Sequence, residues 1–281
     1  LVGADRNERV GGGGWRVVRS QTQDVTRMMA QLRARPGVAE VAPNYMLQAI
    51  ATPNDPFFSS LWGLNNTSVA GADIHAVNAW NISTGSTSTV VGVVDTGIDY
   101  THPDLAGNVW SAPTSFTVTI GGRSLTCPAG SHGFNAIAYA ATSGNVTGGP
   151  SCDPMDDQYH GTHVSGTIGA IGNNGVGVVG VNWTTKIMGL KFLDNTGTGG
   201  SGDAANAIEF AVQAKAFFAA TSAANVRVLS NSWGGGGFVG ALLTEIQRAG
   251  TTGNMLFAAA AGNAGPNNDN SPFYPASYGD P

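Results

Sequence analysis

The stretch Tyr159-His160-Gly161-Thr162-His163-Val164-Ser165-Gly166-Thr167-Ile168-Gly169-Ala170 places an imidazole where a helix is expected to begin. Histidine changes charge near neutral pH and can both take and give a proton, so it suits a general base. Gly161, Ser165, Gly166 and Gly169 let one backbone approach another closely, which predicts a helix lying deep in the fold. Upstream, Thr89-Val90-Val91-Gly92-Val93-Val94 is a β-branched run that predicts a buried parallel strand. Asp95-Thr96-Gly97 follows at its C-terminal end, where catalytic groups gather in open α/β sheets. A carboxylate there can orient an imidazole, fix its tautomer and stabilise the imidazolium.

Metal chemistry is the competing use of these residue types. His160 and His163 are spaced i, i+3, whereas a zincin helix needs i, i+4 with a Glu between. Asp99, His102 and Asp104 could form a Ca²⁺ or Zn²⁺ cluster. Asp153, Asp156 and Asp157 make the approach to His160 acidic, either as a local metal site or as a solvated loop.

The elements that must hold these residues read as follows. Residues 1–14 end in Gly11-Gly12-Gly13-Gly14, a flexible connector. Trp15–Arg19 reads as a strand, and Val25, Met28, Met29 and Leu32 form one helical face that Pro36-Gly37 stops. Val38–Ala42 reads as a second strand. Residues 74–80 suggest a short helix, and residues 106–158, rich in Gly, Ser, Thr and Pro, a long surface insertion. Lys186–Leu193, Val226–Gly234 and Met255–Ala261 read as further strands, with helices over 204–220 and 241–249. Cys127 and Cys152 are compatible with one disulfide across the insertion; two unpaired thiols are the alternative.

The 281 residues carry only 11% charged side chains, 41 glycines and a net charge of -5. That suits a compact, loop-rich enzyme with no basic stripe for nucleic acid. No run approaches the roughly 18 apolar residues that span a membrane.

His160-Gly161-Thr162-His163-Val164-x-Gly166-Thr167 resembles the histidine motif of the subtilisin-like serine proteases, the subtilases or peptidase S8 family. Asp95-Thr96-Gly97-Ile98-Asp99-x-x-His102-Pro103-Asp104-Leu105 is similar to the family's aspartate motif. Ala260-Ala261-Gly262-Asn263-x-Gly265 is similar to its oxyanion motif. The resemblance implies an α/β fold, a parallel sheet flanked by helices, incomplete at its C-terminal side. It implies a catalytic aspartate at Asp95, a catalytic base at His160, a structural His163 and an oxyanion donor at Asn263. Gly197-Thr198-Gly199 would pair with extended substrate by strand addition. Ser232-Trp233-Gly234 and Gly262 would line the substrate cleft. A structural Ca²⁺ would be held by Asp55, Asp104 and Asn174, with carbonyls from Gly172, Val176 and Val178.

The ending Val38-x-x-Val41-x-Pro43-Asn44-Tyr45 resembles the end of the inhibitory propeptide that accompanies secreted subtilases. Residues 1–50 would then be the C-terminal part of an α+β propeptide, acting as an intramolecular inhibitor. Residues 51–281 would be the catalytic domain of a secreted monomer that binds peptide or protein substrates. The family's nucleophile motif, Gly-Thr-Ser-x-Ala, is not found; it would fall roughly 65 residues beyond Asn263, past Pro281. The nearest imitation, Ala220-Thr221-Ser222-Ala223-Ala224, lacks the leading Gly and breaks the chain order Asp, His, Ser. A chain without the serine is expected to be inactive. A non-catalytic peptide-binding module and a metal-dependent hydrolase are the rival readings.

Overall fold

The computed structural model describes residues 4–45, 52–137, 152–265 and 267–279. Contacts divide the chain into two units, Leu1–Ala49 and Ile50–Pro281.

In the first unit, β1 (Arg6–Val10) and β2 (Trp15–Arg19) pair as an antiparallel hairpin. Gly11 and Gly14 supply the positive φ of its turn, 62° and 80°. The expected connector is therefore a strand and a turn; closing a short local loop costs little chain entropy. Helix α1 (Val25–Arg33) is capped by the Asp24 carboxylate, which accepts from the Arg27 amide at 2.8 Å. Met28 is the buried residue of its apolar face. The expected strand over Val38–Ala42 is not formed. The hairpin partner of β2 is β1, and residues 38–42 enter no ladder among the described residues.

The second unit is built on a five-stranded parallel sheet in the order β6-β7-β3-β8-β9. Its strands are β3 (Gly85–Asp95), β6 (Gly133–Asn135), β7 (Thr184–Lys191), β8 (Val226–Asn231) and β9 (Leu256–Ala259). Helices among the described residues include α2 (Ala76–Trp80), α3 (His160–Gly169), α4 (Ser201–Phe217) and α5 (Gly240–Thr251). This is the α/β architecture, a parallel sheet flanked by helices, that the resemblance implies.

Alternation along β3 divides the core in two. Val90 and Val94 pack with Ile208, Ala211 and Leu229 on the α4 side. Val91 and Val93 pack with Ile187, Val164 and Ile168 on the α3 side. Gly92 is small because a Cβ there would lie 2.8 Å from Leu229 and 2.9 Å from Leu190. Asp95 has the parity of Val91 and Val93, so its carboxylate faces the α3 side. Helix α3 lies on β3 and β7 with one face only. Gly161, Ser165 and Gly169 are buried, while His163 and Thr167 are exposed. The helix expected to lie deep in the fold is buried along one close-packed stripe and open on the other face. His163, expected to be structural, is exposed on the face of α3 away from that stripe.

The 106–158 segment is more than a surface insertion. It contains the hairpin β4 (Phe116–Ile120) and β5 (Arg123–Cys127), and β6 is an edge strand of the main sheet. Trp110, Phe116, Ile120 and Phe134 are all buried in the larger core cluster. The period-two pattern Phe116-Thr-Val-Thr-Ile120 was the sequence signal for this, hidden among turn-forming neighbours. Residues 138–151 lie outside the described chain.

Cys127 and Cys152 form a disulfide with Cα atoms 5.6 Å apart, closing a sequence separation of 25. Closing a loop of that size restricts the unfolded chain, so removing the bond is expected to cost about 3 kcal/mol. Urea unfolding of the oxidised protein against a Cys127→Ala/Cys152→Ala variant measures this; equal midpoints would contradict it.

Candidate active site

Asp95 ends β3 and is fully buried. His160 opens α3, and its side chain is 44% exposed. The His160 Nδ1 lies 2.8 Å from Asp95 Oδ1. A neutral imidazole that donates from Nδ1 to the carboxylate leaves Nε2 free on the accessible edge. The Thr96 amide donates to the same Oδ1 at 2.7 Å, while Oδ2 is buried with no partner among the described residues. Burial pushes the Asp95 carboxyl above its ordinary 3.8, offset in part by the hydrogen bonds from His160 and Thr96.

The helix start is held by Gln158, Thr96 and Asp156, and Asp156, expected in a metal site or a solvated loop, instead accepts from the chain's own donors. The first four amides of a helix have no partner within it. Here Gln158 Oε1 accepts from His160 N at 2.9 Å, and Thr96 Oγ1 accepts from Gly161 N at 2.8 Å. Asp156 accepts from Thr162 N at 3.0 Å and from Thr162 Oγ1 at 2.6 Å. It also takes the amides of Gln158 and Tyr159. Burial alone would raise the Asp156 carboxyl, but the hydrogen bonds from Thr162, Gln158 and Tyr159 outweigh it and hold it below 3.8. An acid just ahead of a helix is a readable cap signal, so Asp156 was open to detection. The Thr162 hydroxyl in turn accepts from Asp99 N at 2.9 Å, and Ile98 N donates to Pro154 O at 2.9 Å. The loop after β3 and the turn before α3 are thus laced together. A Cβ on Gly161 would sit 2.2 Å from the Gly97 carbonyl, which makes glycine obligatory beside the histidine.

The same unit carries a second feature. β3 has β7 on one side and β8 on the other, so the carboxyl ends of β3 and β8 flank the point where the strand order reverses. A cleft of about 390 Å³ is lined by Gly197, Thr198, Gly199, Trp233 and Gly234, together with Tyr274 and Tyr278. Five of the seven residues expected to bind substrate therefore share one surface. Ser232 is half-buried one residue before Trp233 and is not part of that lining. Gly262 lies in the turn after β9 with φ 94°. It approaches the same ring as Gly234: added Cβ atoms would lie 3.4 Å and 2.2 Å from Phe273 Cε1. Asn263 follows Gly262 in that turn and is exposed. Gly199 is small for a local reason, since a Cβ there would meet the Phe192 carbonyl at 2.1 Å.

The residues expected to hold a cation divide clearly. Asp55 and Asp104 are 4% and 2% exposed and meet one loop, 171–178. Asp55 accepts from Asn173 N at 2.7 Å, and Asp104 from Asn174 Nδ2 at 2.8 Å and Val178 N at 2.9 Å. Gly172 packs under the Trp183 ring, and Val176 is exposed. Two buried carboxylates meeting one loop fit a hard, oxygen-seeking cation. Asp99, by contrast, turns its carboxylate to Thr101, and His102 Nδ1 accepts from Asp104 N. Among the described residues no group of three or more His, Cys, Asp or Glu side chains converges as a metal centre.

The imitation nucleophile is at the wrong end of the sheet. Ser222 precedes β8, whose first residue, Val226, pairs with Val90, five positions before Asp95 along β3. Among the described residues no helix is long and apolar enough to cross a membrane.

A parallel α/β sheet with an Asp–His pair at its reversal point defines a class of site. The model of the subtilase family, peptidase S8, matches residues 86–280, and the chain belongs to that family. It is 30% identical over 256 residues to a thermophilic serine proteinase of Bacillus sp. (strain AK1), covering 91% of this chain and 51% of that protein. It is 32% identical over 240 residues to an extracellular protease of Xanthomonas campestris pv. campestris, covering 84% and 39%. A solved structure of a protease from Pseudoalteromonas arctica superposes with a TM-score of 0.56 at 26% identity, covering 76% of this chain and 60% of that one. The chain thus spans about half the length of the thermophilic proteinase it matches.

Asp156 gives a test of the helix start. Its folded-state carboxyl stays ionised below 3.8, so its hydrogen bonds contribute above that pH and are lost as pH falls through the lowered value. Asp156→Ala is expected to cost about 1 kcal/mol at pH 7. The difference from the parent should shrink in acid below 3.8. Urea midpoints across that range read both; a difference independent of pH would contradict the assignment.

Proposed function

We propose that the chain is part of a secreted serine endopeptidase of the subtilisin type. The observation that carries this reading is the 2.8 Å contact between His160 Nδ1 and buried Asp95, in a unit that also holds the glycine-lined cleft. Membership of the subtilase family supports it. The name of the Xanthomonas relative, an extracellular protease, and the disulfide support secretion.

In this reading a serine beyond Pro281 is the nucleophile. His160 Nε2 takes its proton as it attacks the peptide carbonyl, then returns the proton to the leaving amine. Asp95 holds the imidazole in the Nδ1–H tautomer and stabilises the imidazolium. Asn263 donates its side-chain amide to the oxyanion as the tetrahedral intermediate forms. Extended substrate lies along Gly197–Gly199, with Ser232, Trp233, Gly234 and Gly262 around its side chains. Residues 1–50 act as the closing part of an inhibitory propeptide, and residues 51–281 as a monomeric catalytic domain lacking its C-terminal part. The 281-residue chain alone is then inactive.

Extending the chain through its downstream coding sequence tests this reading. The extended protein should hydrolyse peptides and take a serine-directed fluorophosphonate label, whereas the 281-residue chain should do neither. Asp95→Asn in the extended protein should lower kcat by about 10⁴ with little change in fold. An extended protein that binds peptides but neither cleaves them nor labels would favour the binding module instead.

We also propose that Asp55, Asp104 and Asn174, with the carbonyls of Gly172, Val176 and Val178, hold a structural Ca²⁺. The ion would neutralise two buried carboxylates and brace the loop after α3. Saturating Ca²⁺ at 100 times its Kd should stabilise the fold by about 2.7 kcal/mol. Thermal unfolding with Ca²⁺ and with chelator measures it, and Asp104→Asn should abolish the difference. Identical melting curves with and without Ca²⁺ would remove the ion from the account.

A further inference from the structure

Lys191 ends β7 opposite Asp95 in the sheet register and is 3% exposed. A buried ammonium is costly unless each of its three protons finds an acceptor. Lys191 Nζ donates to the carbonyl of Thr96, to the carbonyl of Leu193 at 2.9 Å and to Asp157 Oδ1 at 2.7 Å. The three acceptors come from three segments: the loop after β3, the turn after β7 and the acidic turn before α3.

Thr96 is the point where these ties reach the reacting groups. Its amide donates to Asp95 Oδ1 and its hydroxyl accepts from Gly161 N at the start of α3. Its carbonyl is held by the ammonium. One residue therefore receives a hold from Lys191 and transmits it to both the carboxylate and the helix that carries His160. An apolar side chain of the same length would leave two carbonyls and a carboxylate without their shared donor.

We propose that Lys191 is a positioning residue that sets the Asp95–His160 contact through Thr96, with Asp157 as its charged anchor. This rests on the reading of Asp95 and His160 as a catalytic pair. Lys191 touches no reacting atom; it acts on the geometry of the pair.

The tautomer of neutral His160 in the 281-residue chain tests this, read from two-bond ¹H–¹⁵N NMR spectra. Free imidazole side chains prefer the proton on Nε2, whereas a carboxylate held at Nδ1 draws it there. The unsubstituted chain and Lys191→Arg should show the Nδ1–H tautomer. Lys191→Met should revert to Nε2–H, and Asp157→Asn should shift measurably toward it. A merely structural lysine would lower stability without moving the tautomer. An unchanged tautomer in folded Lys191→Met overturns the proposal. If that variant does not fold, an unchanged tautomer in Asp157→Asn does so, because the Asp157 side chain is 58% exposed and its replacement leaves the core intact. An Nε2–H tautomer in the unsubstituted chain would instead sink the catalytic pair itself, and this proposal with it.

Discussion

A carboxylate at the end of a buried strand must be met by donors, and much of the second unit follows from how Asp95 is met. Its position on the α3 side of the sheet is settled by the two-residue period of β3. Its neighbours supply one amide from Thr96 and one imidazole from His160. The imidazole can reach only if α3 comes close to the strand end, and α3 can come close only because Gly161 has no side chain. The small residues of that helix therefore serve electrostatics as much as packing.

The second constraint is the accounting of the α3 amides. The amides of His160, Gly161 and Thr162 at the helix start find side-chain acceptors in Gln158, Thr96 and Asp156. Those acceptors lie on the two segments that also define the pair. The helix start and the strand end are thus tied by the same hydrogen bonds that satisfy the helix. His160 keeps a solvent-facing edge while its other nitrogen is held, which is the condition for moving a proton to and from a bound substrate.

The glycines around the cleft have mixed causes. Gly197 supplies a turn with φ 77°. Gly199 and Gly234 make room for Phe192 and Phe273 of the chain itself. Both line the cleft surface, where Trp233 stands against Phe192 with ring centroids 4.7 Å apart. The fold's own packing is thus enough to require bare backbone on that surface.

Local patterns in the sequence determined the strand carrying Asp95, the helix carrying His160 and the later strands, because hydrophobic period and small-residue spacing are short-range properties. The resemblance of the two motifs to those of the subtilases paired Asp95 with His160, which the fold places 2.8 Å apart. Tertiary structure alone decided what fills the space around them. The Phe116–Ile120 hairpin entered the core although its surroundings looked like loop, because burial depends on what a segment packs against. The Gly-rich N-terminal run became a hairpin turn, and Val38–Ala42 stayed out of a ladder, because a strand exists only with a partner. Thr96 and Lys191 acquired their roles for the same reason: a hydrogen bond joins groups that folding brings together, and residues 96, 161 and 191 meet only when the sheet and α3 are in place.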